Sequence, residues 1–218
     1  MDTHKPSHLL PLFIACVIAG LLLWGTWNSY KQTFDIRPQQ EQTTPEEQEE
    51  LSFIPIFEHD PILGNPQAGT TIVVFEDFLC ESCRTQNQLL NQLIEKHSTA
   101  VRIIWKDFPI LTFPYPSEQI HAYGFCANRQ RTFEAFKDAA FTLNAPNEGV
   151  LDQIAREVDL DTEQLETCLA RADYITHFEK NKILARALNI QAAPAIFVNN
   201  TQITPPSTVS EWESRLGL

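Results

Sequence analysis

Two cysteines three positions apart, Cys80 and Cys83 in "FLCESCRTQ", are the residues of this chain best suited to chemistry. Such a pair can clip a metal, close a short structural bridge, or act as a reactive dithiol. Its surroundings discriminate between these. Upstream, "TTIVVFEDF" (Thr70 to Phe78) is β-branched and aromatic, the composition of a buried strand. Downstream, Leu89, Leu90, Leu93 and Ile94 fall on one helical face. At a strand-to-helix junction a dithiol has a physical use. The thiolate is the nucleophile of disulfide exchange, and a helix N-terminus lowers its pKa through partial positive charge and free N–H groups. Cys80 is then expected to face solvent and attack, and Cys83, one turn in, to be shielded and to resolve the mixed disulfide.

Ligand counting disfavours a metal. A closed zinc site needs four ligands, commonly a second CxxC or a short-spaced histidine pair. Cys126 and Cys168 are isolated, the histidines at 4, 8, 59, 97, 121 and 177 do not cluster, and Met1 is the only methionine. A structural bridge from 80 to 83 closes too short a loop to constrain the unfolded chain much. No Ser/His/Asp order, HExxH motif or carboxylate pair stands out. His97 reads as a helix-end residue, His121 as a surface residue, and Trp105 and Phe108 as core.

The elements that must position the dithiol follow from pattern. A second strand is "VRIIWKDF" (Val101 to Phe108), followed by the proline-punctuated loop "FPILTFPYPS". From Ser117 to Leu188 the chain is helical in character, with breaks near Arg131, at "NAPNEG" and near Asp159 to Asp161. Asp161 before Leu165, Cys168, Leu169 and Ala172 reads as an N-cap and an amphipathic helix. Strand returns in "PAIFVNN" and "TQIT", and a short helix spans Val209 to Leu216. The order βαβ, helical block, ββα predicts a small mixed α/β sheet covered by helices, with the block as an insertion at about 117–188.

The 28 acidic and 16 basic residues give a formal charge of -12, which argues against a phosphate-tracking surface and hence against nucleic acid as partner. After a short flank, 1–8, the nineteen residues Leu9 to Trp27 carry no charge. At about 1.5 Å per residue they match a bilayer's hydrocarbon thickness, and Trp24 and Trp27 are placed like interfacial anchors. A retained transmembrane anchor fits this length better than a cleaved signal. The stretch 28–51 follows, with five glutamates between 41 and 50 and no apolar periodicity, and reads as a flexible acidic tether.

Several motifs together resemble one family. "HDPILGNPQAGTTIVVFEDFLCESC" (His59 to Cys83) is similar to the opening of the DsbA-like thiol:disulfide oxidoreductases of the thioredoxin superfamily. "VRIIWKDFPIL" resembles their second core strand, and "LNIQAAPAIFVNN" (Leu188 to Asn200) their proline-loop strand. "CANRQRTFEAF" and "LETCLARADY" resemble parts of their helical insertion. The resemblance implies a thioredoxin fold over 52–218. It implies catalytic Cys80 and Cys83, and a cis Ala193–Pro194 bond beside them whose backbone could pair with an extended substrate. The dithiol is itself the redox carrier, so no bound cofactor is expected. The implied partners are cysteine-containing exported proteins and a membrane or thioredoxin-type redox partner. With the anchor, the expected location is a bacterial cytoplasmic membrane, single-pass, with the domain on the extracytoplasmic side. The alternative is a non-catalytic protein of the same fold that holds a metal or client at the CxxC.

Departures from the family pattern matter too. Thioredoxin-like enzymes often carry a buried acid six residues before the first cysteine, where this chain has Val74. Glu76 shares Val74's face of the strand and Asp77 takes the other, which leaves that role unassigned. Glu81, beside Cys80, is expected to oppose the helix dipole, raise the thiol pKa and weaken the oxidant. Cys126 and Cys168 read either as buried small hydrophobes or, in an oxidising compartment, as a structural disulfide.

Overall fold

A computed structural model describes residues 18, 21–27, 29, 53–143 and 145–218. The chain falls into two compact units, 1–50 and 51–218, and the second carries the dithiol. In the first, residues 21–27 are helical and exposed. The rest of the expected anchor apart from Ile18, the flank 1–8, and the tether apart from Ser29 lie outside the described residues. Among the described residues no helix is long and apolar enough to cross a membrane.

The second unit is built on a five-stranded sheet. Its strands are β1 (Ile62–Gly64), β2 (Thr70–Glu76), β3 (Val101–Asp107), β4 (Ala195–Val198) and β5 (Thr201–Ile203), in the order β1-β3-β2-β4-β5. Only β2 and β3 are parallel, in the register Val74 with Trp105, joined through helix α1 (Glu81–Lys96). That crossover is what a parallel pair requires. The other pairings are antiparallel, and β4–β5 forms a hairpin. Central β2 has residues buried on both faces, as its unbroken apolar run predicts. Ile72 and Val74 pack into the cluster containing Cys83, Phe78 and Trp105. Val73 and Phe75 pack on the opposite side with Ile104, Phe197 and Leu184.

Five helices form the insertion: α2 (Glu118–Arg129), α3 (Phe133–Ala140), α4 (Glu148–Glu157), α5 (Thr162–Arg171) and α6 (Asp173–Ala187). Helix α7 (Val209–Leu216) closes the chain. Asn147, Asp161 and Thr208 cap α4, α5 and α7 by accepting from Val150, Gln164 and Glu211 N–H groups. The expected breaks fall near Arg131 and Asp159, both at positive φ. A further break at Ala172, also at positive φ, has no glycine or proline to announce it. Strand β1 was not expected either. It has three residues and gains its pairing from the β3 edge. Gly64 ends it at φ +75, where a Cβ would stand 2.7 Å from the Val101 carbonyl.

Candidate active site

Strand β2 runs out at Glu76 and delivers the chain through Asp77, Phe78 and Leu79 to Cys80, which is the N-cap of α1. A sulfur thus stands where an N-cap oxygen usually does. Cys80 Sγ accepts the N–H of Cys83 at 3.2 Å, lies 3.2 Å from the Ser82 hydroxyl, and can donate to the Ala193 carbonyl at 3.5 Å. Both cysteines are free thiols, Cys80 half-buried and Cys83 fully buried. The hydrogen bond from the Cys83 thiol is the largest influence on Cys80. Partial burial opposes it, and Ser82 and the Cys83 N–H assist, so the thiol is lowered to about 6. Cys83 moves the other way. Burial, the hydrogen bond it gives to Cys80 and the nearby Glu76 charge all push its pKa far up. One sulfur is a thiolate at neutral pH and the other a thiol.

The Glu81 carboxylate is exposed and pairs with Arg84 at 3.6 Å, and the largest influences on the Cys80 pKa are the Cys83 hydrogen bond, burial and Ser82. The Ala193–Pro194 bond is cis, and its loop adjoins Cys80 through the Ala193 carbonyl.

Behind the dithiol lies a carboxyl whose role the sequence left open. Glu76 is buried, and its Oε1 has no hydrogen-bond partner among the described residues. Burial raises its pKa to about 8, against the pull of Lys137 and with a push from the Cys80 charge. Lys137, buried on α3, donates to Asn87 Oδ1 at 2.5 Å, Asn91 Oδ1 at 2.9 Å and Asp138 Oδ1 at 2.6 Å. Asp138 is partly exposed, so the cluster around Lys137 reaches solvent. Periodicity could place Glu76 on the cysteine face, but the lysine comes from the insertion and no local signal marks it.

A second polar cluster supports the approach to Cys80. Asp77 Oδ2 accepts the N–H groups of Ile110 and Leu111 and the Ser117 hydroxyl, and Oδ1 accepts the Leu79 N–H. His121, expected at the surface, is fully buried. Its Nδ1 is 2.6 Å from Asp107 Oδ1, and its Nε2 accepts the Phe78 N–H at 3.3 Å. The α2 face that carries it turns inward toward β3. Burial pushes the Asp107 carboxyl up, but hydrogen bonds with His121 and His177 outweigh it and hold it well below the usual range. Asp60 and Lys106 form a buried ion pair beside them. His97 is the C-cap of α1, and Trp105 and Phe108 are core. Cys126 on α2 and Cys168 on α5 are disulfide-bonded within the helical insertion.

A thioredoxin fold whose central strand presents one low-pKa thiol before one buried thiol, with a helical insertion above, defines a dithiol redox protein. The chain belongs to the thioredoxin family, whose profile matches residues 57–216. It is 26% identical over 161 residues to "Disulfide bond formation protein D" of Bacillus subtilis, covering 68% of this chain and 72% of that one. A thioredoxin-like oxidoreductase from Silicibacter pomeroyi superposes with a TM-score of 0.66 at 28% identity, over 74% of this chain and 92% of that one. The thiol-disulfide exchange protein alpha-DsbA2 of Wolbachia pipientis superposes at 0.67 with 18% identity, over 74% and 88%. The DsbA-like resemblance read from the motifs therefore holds, and it spans the domain.

Proposed function

We propose that this chain is a thiol:disulfide oxidoreductase working through Cys80 and Cys83 on cysteine-containing exported proteins. The observation that carries the reading is the opposed pair of thiols: a half-buried thiolate capping a helix, hydrogen-bonded by a buried thiol whose pKa is driven up. One sulfur accessible and the other buried is the arrangement exchange uses, the first attacking and the second resolving.

In the oxidising direction a client thiolate attacks Cys80 Sγ of the 80–83 disulfide. The S–S bond breaks, and the Cys83 sulfur leaves with the electron pair. Glu76, with a pKa near 8, holds a proton at neutral pH and supplies it to that sulfur. A second client thiolate then attacks the client sulfur of the mixed disulfide and releases the Cys80 thiolate. The client loses two electrons, the dithiol gains them, and a separate redox partner must remove them for the next turnover. The extended client backbone meets the protein at Ala193 and Pro194, beside the attacked sulfur.

The length and neutrality of Leu9 to Trp27 support a membrane anchor that leaves the domain on the extracytoplasmic side, tethered by 28–51. The test of the catalytic reading is oxidation of a reduced two-cysteine peptide, and reduction of insulin, by the full-length protein and by Cys80→Ser. Equal rates in both proteins refute it. Protease added to intact spheroplasts should digest the domain; complete protection refutes the location.

A further inference from the structure

We propose that His121, on the first helix of the insertion, is a positioning residue for Cys80, acting through the single peptide unit between Asp77 and Phe78. The inference rests on the dithiol reading above and adds to it a residue from outside the cysteine turn.

The chain reaches the nucleophile through a turn, Asp77 to Cys80, closed by the Cys80 N–H donating to the Asp77 carbonyl at 3.1 Å. The same peptide unit carries the Phe78 N–H, which donates to His121 Nε2 at 3.3 Å. A peptide is planar, so its carbonyl and its N–H point in opposite directions and rotate as one body. Gripping the N–H therefore fixes the carbonyl that holds Cys80. The Leu79 N–H is taken by Asp77 Oδ1 within the turn itself, at 2.8 Å. The tie at Phe78 instead comes from the insertion. Phe78 is fully buried, and a buried N–H left without an acceptor is costly. Without the imidazole the peptide is expected to rotate toward another acceptor and release the Cys80 N–H.

The other side of the ring decides which nitrogen accepts. Asp107 Oδ1 lies 2.6 Å from His121 Nδ1 and also accepts the Trp105 indole N–H at 3.1 Å. Against the push of burial, the histidine hydrogen bonds hold the Asp107 carboxyl ionised, and an ionised carboxylate only accepts. Nδ1 is therefore the donor, and Nε2 keeps the lone pair that faces Phe78. Asp77 Oδ1 stands 3.9 Å from Nε2 but already serves the Leu79 N–H. The rings of Phe78, Trp105 and Phe178 surround the imidazole at centroid distances of 4.6, 6.4 and 5.9 Å and hold it in this orientation. Because Asp107 ends β3 and His121 belongs to α2, the pair braces the turn from the sheet and the insertion together.

Two substitutions in the full-length protein separate the two ends of the ring. Asparagine keeps an amide donor near the Nδ1 position for Asp107 but is too short for Phe78. Glutamine reaches the Nε2 position with an oxygen that can accept the Phe78 N–H. In H121N, Cys80 alkylation at pH 6 should slow about threefold and reduction of the 80–83 disulfide by dithiothreitol about tenfold. H121Q should stay within about twofold of wild type in both, although it gives up the Asp107 contact and should be the less stable of the two in urea. A merely structural histidine would make the rates follow stability. Rates that are unchanged in both variants, equally slowed in both, or slower in H121Q overturn the positioning role and leave the dithiol reading intact. A second measurement needs no variant. Nitrogen NMR of the wild-type His121 ring at pH 8 should show the Nδ1–H tautomer, and the Nε2–H tautomer overturns the proposal. A wild-type protein that does not exchange with dithiothreitol at all overturns the dithiol reading itself.

Discussion

Removing the Ser82 hydroxyl isolates one of the forces that hold Cys80 as a thiolate. A hydrogen bond to a charged group contributes about 1.5–3 kcal/mol where water is excluded. Cys80 is only half-buried, so solvent screening reduces this to about 1 kcal/mol. At about 1.36 kcal/mol per unit, Ser82→Ala should raise the thiol from about 6 to nearly 7. At pH 6 the thiolate fraction then falls from about one half to about one sixth. The same loss destabilises the reduced form, so the reduction potential should drop by about 20 mV. Iodoacetamide alkylation of the reduced protein across pH 4 to 9 measures the first quantity, and equilibration with glutathione the second. Glu81→Gln is the matched control. Its carboxylate pairs with Arg84, so the shift should stay within about 0.3 units. The reasoning is refuted if Ser82→Ala leaves the alkylation midpoint in place, or if wild type reaches full reactivity only above pH 8.

Three other perturbations test the surrounding framework. Glu76 has its folded-state pKa raised from 4.5 to about 8, so the stability of its neutral form is fully present below pH 4.5 and is lost as pH rises through 8. Glu76→Gln should match wild type near pH 4 and exceed it by on the order of 4 kcal/mol at pH 9, while slowing formation of the mixed disulfide by the oxidised protein about a hundredfold; parallel urea-denaturation curves from pH 4 to 9 refute this. Lys106→Met leaves Asp60 buried without its partner and should cost about 3–5 kcal/mol, read as a large fall in melting temperature. Replacing Cys126 and Cys168 together by alanine opens a loop with a sequence separation of 42 and should cost about 4 kcal/mol in urea denaturation. The Cys80 alkylation profile should not change in that variant, because the bridge joins α2 to α5 within the insertion whereas Cys80 caps α1.

Local pattern made the framework legible. The β-branched run of β2, the leucines of α1, the Asp161 cap and the closing helix all obey short-range rules, and each stands where its residues put it. The elements that escaped obey long-range ones. The three residues of β1 have no period of their own and are strand only because β3 offers an edge. Ala172 breaks α5 from α6 in a left-handed conformation that alanine seldom takes, so packing and not propensity sets it. His121 looked like a surface residue because a lone histidine on a helix carries no sign of what its face meets. Its partner Asp107 ends β3, and the two meet only once α2 folds over the sheet.

The buried acid shows where sequence reading stops. Strand periodicity already placed Glu76 on the face of Val74, two residues and about 6.6 Å nearer the cysteines. That spacing alone could not tell whether the carboxyl would be solvated, paired or stranded. The fold decides it by burying the end of β2 and bringing Lys137 of α3 close enough to act on it. Burial there makes the carboxyl hold its proton to about pH 8. Lys137, anchored by Asn87 and Asn91 of α1, makes the ionised form bearable when it arises. Neither residue perturbs the other at a distance readable from sequence, since they are sixty-one positions apart. A group able both to give and to take a proton near neutrality, placed behind a thiol that must gain or lose one, follows from the burial of the strand end and the lysine the insertion brings to it.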